Sequence, residues 1–488
     1  MRDAYTVEAV RKAEDVLMAR GPEGALMQRA AAGLAAVCAR LLPRVYGARV
    51  VLLVGSGDNG GDALYAGARL ARRGAAVLAV LAADRVHEGG LAALRAAGGR
   101  VSADRADARA AIAAADLVVD GLLGIGGRGG LREPHAALAA HAADSAALVV
   151  AVDLPSGVDA GTGAVEGPAV RADVTVTFGG YKPGLLIDPG AGRAGVLELV
   201  DIGLGPELPP AHVRSPQAAD IAALLPGPGA ESDKYRRGVL AMASGSDRYS
   251  GAAVLSVGGA LRGGVGMLRY AGQAGVVAKV LDRWPEVVAT VLEPTDPVAG
   301  LPQRVAAWVV GPGRGLHPAA VVELRTVLGT GLPVLLDADA ITLLAEEPDL
   351  VRDRSAPTLL TPHAGELARL LPGVDRADIE ARRLAHATRA AAEFGCTVLL
   401  KGSTTIIAEP GRPAIVNPTG TPLLATAGTG DVLAGLIGAM LASGLAPRDA
   451  AVCGAYLHGL AARLACGGAP ISASDLLGAI PAAFRALR

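Results

Sequence analysis

Five aliphatic runs, within ARVVLLVGSG (48–57), AAVLAVLAA (75–83), DLVVDGLLG (116–124), ALVVAVDLPSG (147–157) and DVTVTFGG (173–180), most constrain what this chain can fold into. A strand with one wet face needs a polar residue at every second position, and most of these runs have none. Aliphatic side chains on both faces mean burial on both faces, the situation of a parallel sheet covered on each side by helices. Apolar-periodic stretches such as GDALYAGARLARRG fill the gaps as helices, and GVLELVDIG (195–203) adds another strand. After residue 230 the same grammar returns with a different sequence. Strands are expected within GVLAMASG (238–245), AWVVGPG (307–313), PVLLDAD (333–339), TLLTPH (358–363) and CTVLLKG (396–402), and helices cluster after residue 428. The fold class read from this pattern is α/β, in two domains.

A chain of 488 residues exceeds one ordinary core. The segment GLGPELPPAHVRSPQAAD is rich in proline and polar residues, which places the boundary near residue 212: domains 1–211 and 212–488. Lys+Arg 46 against Asp+Glu 47 leaves no excess charge to draw nucleic acid or an anionic membrane, so a small-molecule partner is expected. The apolar run around 432–446 is too short for a membrane span, and MRDAYTVEAVRKAED reads as an amphipathic helix, not a signal peptide. Cys38, Cys396, Cys453 and Cys466 form no CxxC pair and suit buried thiols. A cytoplasmic protein follows, with a homo-oligomer expected.

In the first half, VGSGDNGGDALYAG (54–67) follows a strand and opens a helix, but it lacks both the GxGxxG spacing and a P-loop Lys-Ser/Thr. Its distinctive content is Asp58, Asn59 and Asp62 among glycines. Asp120, in VVDGLLGIGGRGG (118–130), and Asp153 and Ser156, in AVDLPSGVDAGTG (151–163), stand at the ends of two further strands. Carboxyl ends of parallel strands converge where α/β proteins bind ligands. Asn59, Asp120 and Ser156 offer oxygen donors to a hard cation, leaving Asp153 for proton transfer.

These three motifs resemble the NAD(P)H-hydrate epimerase domain over roughly residues 1–210. The resemblance implies a Rossmann-like fold and interconversion of the R and S forms of NADH or NADPH hydrated at C6 of the nicotinamide (NADHX, NADPHX). It implies potassium held by Asn59, Asp120 and Ser156. It further implies hydrated cofactor bound by Asp58, Asn59, Gly60, Gly61 and Asp62 and by Gly124, Ile125, Gly126, Gly127, Arg128, Gly129 and Gly130, with Asp153 as acid/base. The family loop usually reads GNNGGDG; here Asp58 and Ala63 depart from it. Relatives that serve as binding modules without catalysis are the alternative, against which Asp120 and Asp153 argue.

In the second half, ATAGTGDVLAG (425–435) sets small residues before Asp431 where an apolar helix begins. Glycines there let amide N–H groups approach an anion, and a helix start supplies more donors. The order YSGAA, LRGGVGM, GPGRG, LDADAIT, TPHAGE, LKGSTT, GTGDVLAG resembles the ribokinase-like superfamily, and within it the ADP- or ATP-dependent NAD(P)H-hydrate dehydratases, over roughly residues 230–475. Thr421 and Asp233 depart from the common pattern. The resemblance implies nucleotide, with Mg²⁺, against Lys401, Gly402, Ser403, Thr404, Thr405 and Gly430, and hydrate contacts from Ala252, Gly315 and His363. Asp431 is expected to cap its helix and also to take the proton from the C6 hydroxyl. Together the halves imply an isomerase fused to a lyase that repairs hydrated nicotinamide cofactors. A small-alcohol kinase fused to a non-catalytic module is the rival.

Overall fold

A computed structural model describes residues 1–227, 231, 233–293 and 295–487, with the side chains of residues 105 and 106 excepted. The chain forms two compact units, residues 2–213 and residues 214–488 with Met1.

The first unit is built on a seven-stranded parallel sheet. Its order is Arg100–Ser102, Ala76–Leu81, Arg49–Val54, Leu117–Gly121, Leu148–Val152, Val174–Phe178 and Val196–Val200. The chain starts in the middle, winds outward to one edge and then returns to wind the other way. That is the doubly wound Rossmann order, and its switch point lies between Arg49–Val54 and Leu117–Gly121. The central strands are buried apart from the exposed first residues Arg49 and Leu148, with Leu52, Leu53, Val118 and Val150 fully enclosed. At the switch point the two following loops touch: a Cβ on Gly55 would stand 1.9 Å from the Leu122 carbonyl oxygen, so glycine is required there.

The second unit carries nine successive strands in the order Val288–Val291, Met267–Gly272, Val239–Ala243, Ala307–Val310, Val334–Leu336, Thr358–Leu360, Thr397–Leu400, Ile406–Ala408 and Ala414–Val416. The first seven run parallel and the last two antiparallel. The helix Thr429–Ala442 is apolar on every side and buried, as its composition demands. It crosses the helix Ser250–Arg262 at glycines. A Cβ on Gly435 would lie 1.8 Å from the Ser256 carbonyl oxygen, and one on Gly259 would lie 2.3 Å from that of Val432. Such contact fixes where the start of Thr429–Ala442 points. No helix among the described residues is long and apolar enough to cross a membrane.

Candidate active sites

The switch point of the first unit gathers its polar residues. Asp120 is fully buried near the end of its strand. Its carboxylate accepts from the Ser156 hydroxyl (2.7 Å), the Ser156 amide (2.9 Å) and the Leu122 amide (3.2 Å). Burial pushes the Asp120 carboxyl up to about 6, against the pull of these donors. Asn59, in the first turn of helix Asp58–Arg72, donates to the carbonyls of Leu123 (3.1 Å) and Val152 (2.6 Å). Its Oδ1 faces Gly124, where a Cβ would sit only 2.4 Å away. Asn59, Asp120 and Ser156 therefore share one cluster, ringed by the Leu123 and Val152 carbonyls. Among the described residues no three His, Cys, Asp or Glu groups could hold a metal, but a donor set of amide, hydroxyl, carboxylate and carbonyl oxygens suits a hard monovalent ion.

Asp153 follows the strand Leu148–Val152 with φ +63°, a left-handed conformation unusual for a non-glycine residue. Its amide donates to Val176 (2.7 Å), so the strained turn is held by the neighbouring strand. Three donors converge on Asp153 Oδ1: the ammonium of Lys182, the Thr177 hydroxyl (2.9 Å) and the Phe178 amide (3.2 Å). Lys182 is 1 % exposed and also donates to Thr177 Oγ1 (3.0 Å) and the Phe178 carbonyl (3.1 Å). The sequence reading passed over this lysine. Its place four residues past the end of strand Val174–Phe178 is the same strand-end signal that marked Asp120 and Asp153.

The glycine loop borders a cavity of about 370 Å³ lined by Ile125, Gly126, Gly127 and Arg128, by Thr6, Val7, Glu8 and Arg11 on the first helix and its cap, and by Asp159–Gly161, Pro183 and His212. A Cβ on Gly126 would meet the Arg11 guanidinium at 3.2 Å. Gly60 and Gly61 are buried in the helix start and Asp58 is exposed beside them, whereas Gly129 and Gly130 turn back towards Glu166 and Gly167.

In the second unit, loops at the carboxyl ends of five adjacent parallel strands assemble the other cluster. The GPGRG loop is fastened from behind. Buried Arg314 (3 % exposed) is paired with buried Glu323, its Nε donating at 2.7 Å, while Gly245 donates to the Pro312 carbonyl (2.7 Å). Gly315 donates to Asp339 (2.8 Å), and Gly313 backs onto Ala252 and Tyr249. Asp337, at the end of Val334–Leu336, accepts from Thr361 Oγ1 (2.9 Å) and from Lys401 Nζ (2.5 Å), and Glu366 lies 3.7 Å from the same ammonium. Desolvation pulls the Lys401 ammonium down, but Asp337 and Glu366 outweigh it, and the net shift is upward. Gly430 approaches Lys401 so closely that a Cβ would lie 3.7 Å from Nζ. Asp337 and Asp339 had been read only as part of a motif; their role is visible once Lys401 is seen to reach across to them.

Asp431 occupies the third position of helix Thr429–Ala442. The residue before that helix is Gly428 (φ +89°), and no side chain caps the helix. The expected capping role is therefore corrected: the N-cap is Gly428, and the Asp431 side chain, although at the third position from which acids can reach back, makes no capping hydrogen bond. The amides of this turn are left to face an anion. Burial, then Asp337, pushes the Asp431 carboxyl up to about 7, with Lys401 opposing and Asp339 adding. His458, fully enclosed and pushed down to about 4 by burial, donates to the Thr429 carbonyl (2.9 Å) and pins the turn from beneath. A ring nitrogen facing a carbonyl must carry the proton.

His363 caps helix Ala364–Leu370. Its Nδ1 accepts from the amides of Gly365 (3.0 Å) and Glu366 (3.2 Å), while Glu366 accepts from the His363 amide (2.8 Å). The ring is exposed, and the His363 backbone forms a parallel β-bridge with that of Lys401. Gly402 lies against the Arg383 guanidinium and Ser403 is exposed. Thr404 is 3 % exposed and turned inward, and the Thr405 carbonyl accepts from Asn417 (3.0 Å).

Comparison with known proteins gives matches for both units. Residues 240–480 match the family model of the NAD(P)H-hydrate dehydratases, and residues 23–184 that of the YjeF-related protein N-terminus. The chain is 50 % identical to the bifunctional NAD(P)H-hydrate repair enzyme Nnr of Mycobacterium leprae, with all of both chains covered. It is also 50 % identical to the enzyme of that name from Mycobacterium tuberculosis strain H37Rv, over 92 % of this chain and 91 % of that one. Among solved structures, the ADP/ATP-dependent NAD(P)H-hydrate dehydratase of Bacillus subtilis, co-crystallised with ATP and Mg²⁺, is 31 % identical with a TM-score of 0.51. That match covers 56 % of this chain and 98 % of that one. A ribokinase-like superfamily protein of Enterococcus faecalis is 26 % identical with a TM-score of 0.50, covering 57 % and 96 %. On this full-length likeness, the chain belongs to the family of bifunctional NAD(P)H-hydrate repair enzymes.

Proposed function

We propose that residues 1–211 epimerise NADHX and NADPHX at C6, and that residues 212–488 dehydrate the S epimer with ADP or ATP, yielding AMP or ADP and phosphate. The observation that carries the reading is the cluster at the second unit's strand ends. A carboxyl raised to about 7, Asp431, stands beside an ammonium, Lys401, and a turn of uncapped amides.

In the dehydratase unit, Lys401 and the amides at Gly430 draw in the terminal phosphate and neutralise charge as it transfers. Asp431 takes the proton from the C6 hydroxyl, whose oxygen then attacks phosphorus. Loss of phosphate from C6 and of a proton from C5 restores the dihydronicotinamide. Ala252, Gly315 and His363 border the hydrated ring, and residues 402–405 lie along the nucleotide. Magnesium would arrive with the nucleotide, held chiefly by phosphate oxygens and at most one or two carboxylates. Asp337 is already engaged with Lys401, so the chain's own part is to fix that ammonium.

In the epimerase unit, the loops at residues 58–62 and 124–130 hold the cofactor and Asp153 exchanges the proton that opens and closes C6. Potassium would be held by Asn59, Asp120 and Ser156 with neighbouring carbonyls, and would supply a fixed positive field to the site. Both substrates are small molecules met in the cytoplasm.

The test is direct. Purified protein is given mixed hydrate epimers and ADP or ATP with Mg²⁺, and the absorbance of reduced nicotinamide is followed. Recovery of both epimers is expected. Recovery of half, or accumulation of a stable phosphate ester with no return of absorbance, overturns the respective unit's assignment.

A further inference from the structure

The epimerase unit encloses more carboxylates than one proton shuttle requires. Asp62, on the inner face of helix Asp58–Arg72, is 7 % exposed, and its Oδ1 is sealed from solvent without a hydrogen-bond partner among the described residues. Facing it electrostatically are Asp153, Asp58 on its own helix, and Glu14 from helix Val7–Arg20. His87, at the cap of helix Glu88–Ala96, packs its ring against Gly61. Burial comes first, then these like charges, in raising the Asp62 carboxyl well above its ordinary value, and burial likewise raises Glu14. Among the described residues no cation is paired with Asp62. Lys182 goes to Asp153 instead, spending its three N–H donors on Asp153, Thr177 and the Phe178 carbonyl.

We propose that the epimerase works with two carboxyls of opposite protonation: Asp153 is the base, Asp62 the proton donor, and Lys182 the positioning residue that assigns these roles by pairing with one and not the other. Asp62 has one oxygen sealed without a donor, which favours its protonated form, whereas Asp153 carries an ammonium, a hydroxyl and an amide on one oxygen. In ring opening, Asp153 removes the proton of the C6 hydroxyl and C6 becomes an aldehyde carbon. The N1–C6 bond breaks with its electron pair passing to N1, and Asp62 protonates N1. Rotation about C5–C6 offers the other face. On closure N1 attacks the aldehyde carbon and returns its proton to Asp62, while the C6 oxygen recovers its proton from Asp153. The cycle is neutral in atoms and electrons and needs no co-reactant.

This inference rests on the epimerase reading above, and the experiment separates the two. Full-length parent, Asp62→Asn, Lys182→Met and Lys182→Arg are assayed for conversion of the R hydrate across pH, with dehydration of the S hydrate by the same samples as the measure of folded protein. Asp62→Asn is expected to lower kcat for epimerisation at least ~100-fold, the scale of a lost general acid, and to leave KM within a few-fold. Lys182→Met is expected to lower kcat for epimerisation ~100-fold, the scale of a misplaced reacting group, and Lys182→Arg to restore most of it. Retention of more than a tenth of parental kcat in Asp62→Asn overturns the donor assignment. Retention of more than a tenth in Lys182→Met, or no recovery in Lys182→Arg, overturns the role given to the lysine. Should Lys182→Met fail to fold, Asp62→Asn and Lys182→Arg still decide. A parent that leaves the R hydrate untouched refutes the epimerase reading itself.

Discussion

Replacing Asp431 with asparagine tests the physics of the dehydratase site apart from its chemistry. In the folded protein this carboxyl is raised from 3.8 to about 7, by burial first and then by Asp337. A raised acid stabilises the fold in its protonated form: that contribution is complete below the unfolded value and is lost as pH climbs through the folded one. The shift of about 3 units, at about 1.4 kcal/mol per unit, makes ionised Asp431 a cost of up to ~4 kcal/mol at pH 8 and only ~1.5 kcal/mol at pH 5. Asparagine has a similar shape and no such cost. The stability of Asp431→Asn relative to the parent should therefore widen by roughly 2–3 kcal/mol between pH 5 and pH 8. Both tryptophans, Trp284 and Trp308, are buried in the second unit, so fluorescence-monitored urea unfolding reports that unit alone. The same variant should lose dehydration while still binding nucleotide, and the parent's kcat/KM for dehydration should rise with pH and level off above about 7. Stability curves that run parallel over this range would refute the raised acid, and with it the poised base.

Other perturbations follow from the geometry. Arg314→Met leaves Glu323 as a buried, uncompensated charge, so a loss of roughly 3–5 kcal/mol is expected in the same fluorescence assay, with weaker binding of the hydrate. Gly435→Ala sets a methyl 1.8 Å from the Ser256 carbonyl; overpacking of about 1–3 kcal/mol or more, together with reduced dehydration from a displaced GTGD turn, should appear in melting and turnover. Exchange of potassium for choline should slow epimerisation and leave dehydration of the S hydrate unchanged. Asp120→Asn should have the same selective effect even in saturating potassium, read by separating the two epimers over time.

The sequence disclosed what rests on short-range pattern and concealed what rests on register. Runs such as VVLLV and LVVAV name their strands because burial on both faces leaves no polar alternation. Three-residue strands such as Arg100–Ser102, Ile406–Ala408 and Ala414–Val416 carry too few side chains to show a period. Met267–Gly272 and Val288–Val291 were missed for another reason. The first is interrupted by Arg269, which donates to the Gln303 carbonyl, and the second is an edge strand with Val288 and Val291 exposed. Asp120, Asp153 and Lys401 were legible because a charge directly after an aliphatic run has few structural reasons to be there. Asp431 was legible as an acid in a glycine-rich turn, but its exact place in the turn was not. Three residues separate the cap, Gly428 with its left-handed φ, from Asp431, whose side chain caps nothing.

Lys182 and Lys401 share a logic that neither motif states. Each ammonium reaches an aspartate at a strand end, Asp153 in one unit and Asp337 in the other, and within each site a further carboxyl stands apart from that pair with its proton affinity raised: Asp62 and Asp431. In a buried site holding several acids and one cation, the acid paired with the cation is favoured as the anion and the others are disfavoured as anions. In the dehydration we propose, Asp431 must be emptied before the C6 hydroxyl can be deprotonated, and a carboxyl near 7 is emptied at little cost. In the epimerisation we propose, Asp62 must stay filled to serve N1. On these proposals the two folds reach opposite proton assignments with the same components, and the difference lies in surroundings. Asp431 stands close enough to Lys401 to feel its opposing charge, whereas the charges that act on Asp62 among the described residues are those of acids. A lysine introduced next to Asp62, by Glu14→Lys, should therefore lower that carboxyl and move the alkaline limb of epimerisation downward. An alkaline limb that stays in place would show that Asp62 is not the group whose proton the reaction uses.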